Sequence, residues 1–184
     1  MGQKGEETRA RLLDAASRLL ESGGYFGAGL NQVLAESGAP RGSLYFHFPG
    51  GKDQLVTESV ARAGQDISAL IGGIEATDTA DLLAQLLDVL GDRLERSAWH
   101  QGCPVATVAL ELAASNDTVQ RACSAAYTSW EAALRDQLVA DGHPGAEDLA
   151  TTVLALIEGG LLLARAHRSR QPLTRVAGAI TALL

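Results

Sequence analysis

The sequence predicts an all-α protein of about nine helices. Three observations carry that reading. Apolar residues recur at helical spacing along almost the whole chain, no alternating β-branched run is bounded by turn residues, and glycines, prolines and capping residues punctuate the pattern. Leu12, Leu13, Ala16, Leu19 and Leu20 share one face of a first helix, which Gly23-Gly24 ends. A short second helix, Leu30 to Ser37, turns Leu30, Val33 and Leu34 inward and stops at Gly38. A third runs from Arg41 to Phe48 and ends at Pro49-Gly50-Gly51; a fourth, Asp53 to Leu70, breaks at Gly72-Gly73. Leu83, Leu86, Leu87, Leu90 and Leu94 define a fifth, opening near Asp78-Thr79. Pro104 suits the first turn of a sixth, running to Ala114. Asn116 or Asp117 caps a long seventh, with Val119, Cys123, Ala126, Tyr127, Trp130, Leu134 and Leu138 on one stripe. After the loop Asp141 to Gly145, an eighth spans Glu147 to His167. A ninth starts at Pro172 with Leu173, Val176, Ile180 and Leu183 inward. No internal repeat appears.

The 184 residues suit one domain or two small ones sharing a core. Hydrophobic residues at 46% and charged residues at 20% exclude a disordered chain. No uninterrupted apolar run reaches the ~18 residues of a membrane span; the longest candidate, Val153 to Ala166, is broken by Glu158, Gly159, Gly160 and Arg165. No membrane partner is therefore expected. The N-terminus lacks the apolar core of a signal peptide, so a cytoplasmic location is expected. Cys103 and Cys123 are too few for a disulfide framework or a zinc cage, and His100, His143 and His167 lack ligand spacing, so no metal is expected. Without a phosphate loop, nucleophile elbow or acid/base pair, neither a catalytic residue nor a cofactor is expected, and the chain does not read as an enzyme.

A net charge of −7 speaks at first against a nucleic-acid partner. Residues 1–52, however, hold six cations (Lys4, Arg9, Arg11, Arg18, Arg41, Lys52) against five anions, a balance of +1, and the remainder carries −8. Phosphate binding depends on where cations sit, since screening acts within about 10 Å. Such asymmetry is also common in ordinary globular proteins.

Residues 30–48 concentrate the chemistry. Two short helices joined by the tight break Ser37-Gly38-Ala39-Pro40, with a third helix ahead, form a helix-turn-helix pattern. At about 100° per residue, Leu44 and Phe48 fall on the core face. Gly42, Ser43, Phe46 and His47 fall opposite, with Arg41 and Tyr45 on a flank. Gly42 lets backbone approach a phosphate, and Ser43 and His47 offer hydrogen bonds. Phe46 suits a thymine methyl, and Arg41 and Tyr45 reach phosphate oxygens. Five of the eight aromatic residues lie between residues 25 and 48. The alternative is that Tyr45, Phe46 and Phe48 are small-domain core and His47 a satisfied surface histidine. Lys52 then stands against the dipole of the fourth helix, a placement that costs about 0.3–1 kcal/mol unless an anion is near. A DNA phosphate or Asp53 would supply it.

The stretches Thr8 to Ala16, Val33 to Phe48 and Lys52 to Leu55 resemble the DNA-binding head of TetR-family repressors. Gly102 to Glu111 and Glu158 to Ala164 further resemble the LmrA/YxaF-like branch, whose members are implicated in multidrug-resistance control. The resemblance implies a head over residues 1–51 that binds double-stranded operator DNA, with Asn31 joining the DNA-facing set. It implies a body over 52–184 that binds a small-molecule effector, and a homodimer joined through the last two helices of each subunit. Three departures stand out: Ala28-Gly29 where a threonine commonly caps the second helix, Pro40 where a serine opens the third, and one extra residue before Lys52.

In the body, Ala155 and Gly159, and Gly160 and Ala164, are small pairs four apart. With Leu163, Leu173, Val176 and Ile180 they read as a dimer face, the alternative being an internally buried hairpin. Tyr127 and Trp130, with Trp99, suit a pocket for a flat apolar or aromatic effector, or are plain core. Glu111 is a pocket polar group or exposed. Cys103 precedes a helix start, where the dipole favours a thiolate; a buried inert thiol is the other reading. The expected function is a one-component repressor on a pseudo-palindromic operator, released by its effector through the fourth helix and controlling drug-efflux or resistance genes. The alternative is a thiol-based redox-sensing regulator using Cys103.

Overall fold

The computed structural model describes residues 2–184. Among them are nine helices and no strand: α1 (Gln3–Gly27), α2 (Leu30–Ser37), α3 (Arg41–His47), α4 (Gly51–Gly73), α5 (Thr79–Arg96), α6 (Pro104–Leu112), α7 (Asp117–Ala140), α8 (Ala146–His167) and α9 (Gln171–Leu183). Local chemistry sets their ends. Gly38 takes the left-handed conformation at φ 61° that stops α2, and the Asp78 carboxylate caps α5 by accepting from the Asp81 N–H at 2.8 Å. Asn116 caps α7, its Oδ1 accepting from the N–H groups of Thr118 and Val119, both at 3.1 Å. The first helix does break at Gly24 (φ 66°, ψ −167°), and a further helical turn carries it to Gly27. Where a threonine cap is missing, the Gly29 carbonyl accepts from Gln32 and Val33. The extra residue before Lys52 is absorbed by Gly51, at φ 67°.

The chain forms two compact units. Residues 1–63 and 104–126 make the first, and residues 64–103 and 127–184 the second. The first unit therefore extends past the head expected at 1–51. It takes in the start of α4, all of α6 and the start of α7, because α6 packs along α1. Its core holds Leu12, Leu20, Val33, Leu44, Phe48, Leu55, Val56, Val105 and Val108.

The second unit packs α5, α8 and α9 around Leu83, Leu86, Leu94, Leu134, Leu138, Val153, Leu173 and Ile180. Two polar ties pin its helix ends. Asp141 accepts from the Thr79 N–H and hydroxyl, which pulls its carboxyl below the usual range. Arg170, ahead of α9, pairs with Asp88, Asp92 and Glu95 of α5. By mean hydropathy α8 is long and apolar enough to cross a membrane, which a search for uninterrupted apolar runs overlooks; a third of its most apolar window is buried within the protein.

Candidate nucleic-acid interface

α1, α2 and α3 position the recognition surface. Leu44 and Phe48, both at 0% exposure, fix α3 on the core, so the opposite side faces out. Arg11 donates to the Ser37 carbonyl at 3.2 Å, holding the α2–α3 turn against α1, and Arg9 lies over the Phe48 ring while pairing with Glu58. Asn31, Arg41 and Gly42 are exposed, as are Tyr45 at 59% and Phe46 at 71%. A phenyl ring left that open on a short helix gains little from its own chain beyond an edge contact with His47. Ser43 is half-buried, and its hydroxyl donates back to the Pro40 carbonyl, while no side chain caps the start of α3.

Two residues expected on this surface are placed otherwise. His47 is buried at 9% exposure, and its Nδ1 has no hydrogen-bond partner. It follows Leu44 by three residues, so it shares enough of the core face to be drawn in. It packs edge-on against Phe46, with ring centroids 5.0 Å apart. Lys52 is half-buried with Nζ 4.1 Å from the Tyr25 ring centroid. Burial lowers the affinity of its amine for the proton, against the Asp53 and Glu111 carboxylates, which raise it. The anions that offset the helix dipole at Lys52 are thus supplied by the protein itself.

Lys52 belongs to a polar group that sequence reading did not assemble. The Tyr25 hydroxyl donates to Asp53 at 2.6 Å, and Asn116 donates to the same carboxylate at 3.1 Å. The hydrogen bond to Asp53 is the largest of the effects that push the Tyr25 phenol up to about 12, ahead of burial and the Asp53 charge. Glu111 of α6 accepts from the Tyr25 N–H, a donor orphaned by the break at Gly24. It lies so close that a Cβ on Gly24 would stand 2.5 Å from its Oε1. Glu111 therefore joins α6 to α1 in the first unit, whereas Trp99, Cys103, Tyr127 and Trp130 belong to the second.

Of those four, Trp130 is core, 3% exposed, its indole N–H donating to the Gly64 carbonyl at 2.8 Å. Tyr127 meets its ring edge-on at 5.3 Å and stays half-exposed. Trp99 and Cys103 are half-exposed, and the Cys103 thiol hydrogen-bonds the Glu158 carboxyl. The other thiol, Cys123, is buried, which pushes it up.

The expected dimer face divides. Leu173 and Ile180 are buried in the second unit's core, and a Cβ on Gly160 would stand 3.1 Å from Val176 and 3.2 Å from Leu173. Gly160, Leu173, Val176 and Ile180 thus close the α8–α9 seam inside one chain. Ala155, Gly159, Leu162, Leu163 and Ala166 instead form an outward stripe on α8.

Comparison with known proteins decides the family. Residues 12–58 match the family of bacterial regulatory proteins designated tetR, and residues 79–179 match the LmrA/YxaF-like transcriptional regulator C-terminal domain. The chain belongs to the TetR family. It is 37% identical over 182 residues to the HTH-type transcriptional regulator LmrA of Bacillus subtilis, covering 97% of each chain. YxaF of the same organism, also named an HTH-type transcriptional regulator, is 32% identical over 97% of this chain and 95% of its own. A TetR transcriptional regulator from Chloroflexus aurantiacus, 27% identical, superposes with a TM-score of 0.82 over 98% of this chain and 96% of its own. One from Legionella pneumophila, at 20% identity, shares the fold with a TM-score of 0.85 over 100% and 98%. TetR-family proteins are transcriptional regulators rather than enzymes, and the helix-turn-helix match falls on the helices just described.

Proposed function

We propose that this TetR-family regulator is a one-component repressor. It binds a pseudo-palindromic operator as a dimer and leaves it when a small apolar or aromatic effector binds the body. The observation that carries the DNA reading is the outer side of α3. Arg41, Gly42, Tyr45 and Phe46 stand exposed there while Leu44 and Phe48 are sealed beneath. Asn31 and Ser43 flank that surface, and His47 acts beneath it as packing rather than as a reader. Lys52 serves through Tyr25 and Asp53, bracing the start of α4, more than through phosphate.

Dimerisation is supported by the outward stripe on α8, where Leu162 is 65% and Leu163 50% exposed, together with the small exposed residues Gly178, Ala179 and Ala182 of α9. Burying such a surface gains about 25 cal/mol per Å² of apolar area. Control of efflux or resistance genes is proposed from the likeness to the LmrA/YxaF-like branch. Cys103 supports a thiol switch less well, because its proton is engaged by Glu158. Fluorescence anisotropy on DNA from upstream of its own gene, at physiological salt, checks the reading. Arg41→Ala and Tyr45→Ala should each weaken binding about tenfold, the worth of roughly 1.4 kcal/mol, with unchanged melting. Affinity unmoved by either change would refute this role for α3.

A further inference from the structure

Three of the eight aromatic rings are exposed, and all three belong to the first unit. Tyr45 and Phe46 lie on α3, whose outer side accounts for them. The third is Phe26, in the last turn of α1 and the most open of the set at 72%. It belongs neither to the core nor to α3, yet its position is fixed. Its ring meets that of Tyr25 edge-on, with centroids 5.4 Å apart. Tyr25 is held in turn by three partners: its N–H donates to Glu111, its hydroxyl donates to Asp53 at 2.6 Å, and the Lys52 ammonium stands 4.1 Å from its ring centroid. Lys52 comes five residues after His47, the last residue of α3. This series of contacts ties the Phe26 ring to the exit of the recognition helix.

The surroundings of the ring select what can cover it. Residues 22–35 hold no lysine, arginine, histidine or carboxylate, in a chain of net charge −7. The flanking Glu21 is buried, and Glu36 faces Arg18 at 3.9 Å. The two carboxylates beside Tyr25 already accept hydrogen bonds, Glu111 from Tyr25 and Asp53 from Tyr25 and Asn116. Next to the ring the backbone is bare, since a Cβ on Gly27 or Gly29 would meet nothing within 4 Å. From residue 23 to residue 32 the exposed residues are Gly23, Phe26, Gly27, Asn31 and Gln32. No aliphatic side chain joins the ring to make the apolar centre that a protein partner would need. An open ring, open backbone and two amides, without an exposed carboxylate among them, suit the strand of a polyanion.

We propose that Phe26 is a further DNA-contacting residue, its ring packing on a deoxyribose of the strand that borders the groove entered by α3. This rests on the DNA-binding reading above and extends the interface from α3 to the end of α1. A deoxyribose presents C–H groups, so a phenyl ring gains contact there by excluding water and needs no charge. Contacts to the sugar–phosphate backbone set the position of the protein and carry no sequence information. The Phe26 contact is therefore blind to base sequence, unlike those of α3.

Fluorescence anisotropy of the full chain on two duplexes of equal length tests the proposal: DNA from upstream of its own gene, and a scrambled sequence at low salt. Phe26→Ala should weaken binding to both by about tenfold, the worth of burying part of a phenyl ring. Its melting temperature should match the parent's. The slope of log affinity on log salt should also stay parallel to the parent's, because a phenyl ring releases no counterion. Phe26→Leu, which keeps an apolar side chain, should retain most of the affinity. With p-benzoylphenylalanine in place of Phe26, illumination should crosslink the protein to DNA. Unchanged affinity in Phe26→Ala, a loss confined to the upstream duplex, a flattened salt slope, or a crosslink to a second copy of the chain instead of DNA would overturn the contact. Upstream DNA held no tighter than the scrambled duplex would remove the repressor reading alone, because the scrambled duplex still decides the role of Phe26.

Discussion

Gly24 carries two constraints at once. Its φ of 66° with ψ of −167° lies where side chains are strained, and the Glu111 carboxylate occupies the space a Cβ would need. Gly24→Ala should therefore destabilise the protein by about 2–3 kcal/mol, from strain of the order reported for such backbone plus displacement of Glu111. Urea denaturation checks it. Adding Glu111→Ala should recover only the part due to the collision, so full recovery would show that backbone strain is negligible. The glycine pair was legible as a helix end, but its partner was not. Glu111 lies 86 residues from Tyr25, and apolar periodicity carries no information about which distant carboxylate meets an orphaned N–H. His47 failed differently, since it lies between the exposed and core arcs of a seven-residue helix. Its place three residues after Leu44, at the edge of the core arc, draws it inward, and the Phe46 ring covers it from outside.

Helix ends were the most readable elements, because each rests on chemistry within a few residues: Gly38 in the left-handed region, Asp78 and Asn116 as caps, and Pro104 at the start of α6. Choosing which face of α8 meets which neighbour needed the fold. Two small pairs four apart looked equivalent in sequence, yet Gly160 and Ala164 are buried within the chain while Ala155 is exposed and Gly159 half-exposed. The difference is whether α9 lies opposite. Gly160→Val should wedge the α8–α9 seam apart and cost about 1–3 kcal/mol, the usual penalty of overpacking. Thermal unfolding measures it, with Gly159→Val expected to leave monomer stability within about 0.5 kcal/mol.

For the whole molecule, the balance of charge sharpens the functional account. Residues 1–52 carry +1 and the remainder −8, so an acidic body disfavours lying along DNA, and few cations are available for non-specific binding. On the proposed repressor reading, affinity then depends on the two recognition surfaces of a dimer acting together. Leu163→Glu, which places a charge in the exposed α8 stripe, should sediment as a monomer at micromolar concentration and lose at least tenfold in operator affinity. A dimer of unchanged affinity would move the interface elsewhere. The helical class and the family were legible in the sequence because they rest on local motifs. The division into units was not, since α6 joins α1 from more than 75 residues away. The most direct test of the central claim is hydroxyl-radical footprinting on the DNA upstream of its own gene at physiological salt. Two protected half-sites centred about 34–36 Å apart, both lost together in Leu163→Glu, are predicted. Uniform protection that disappears as salt approaches the physiological range would contradict it.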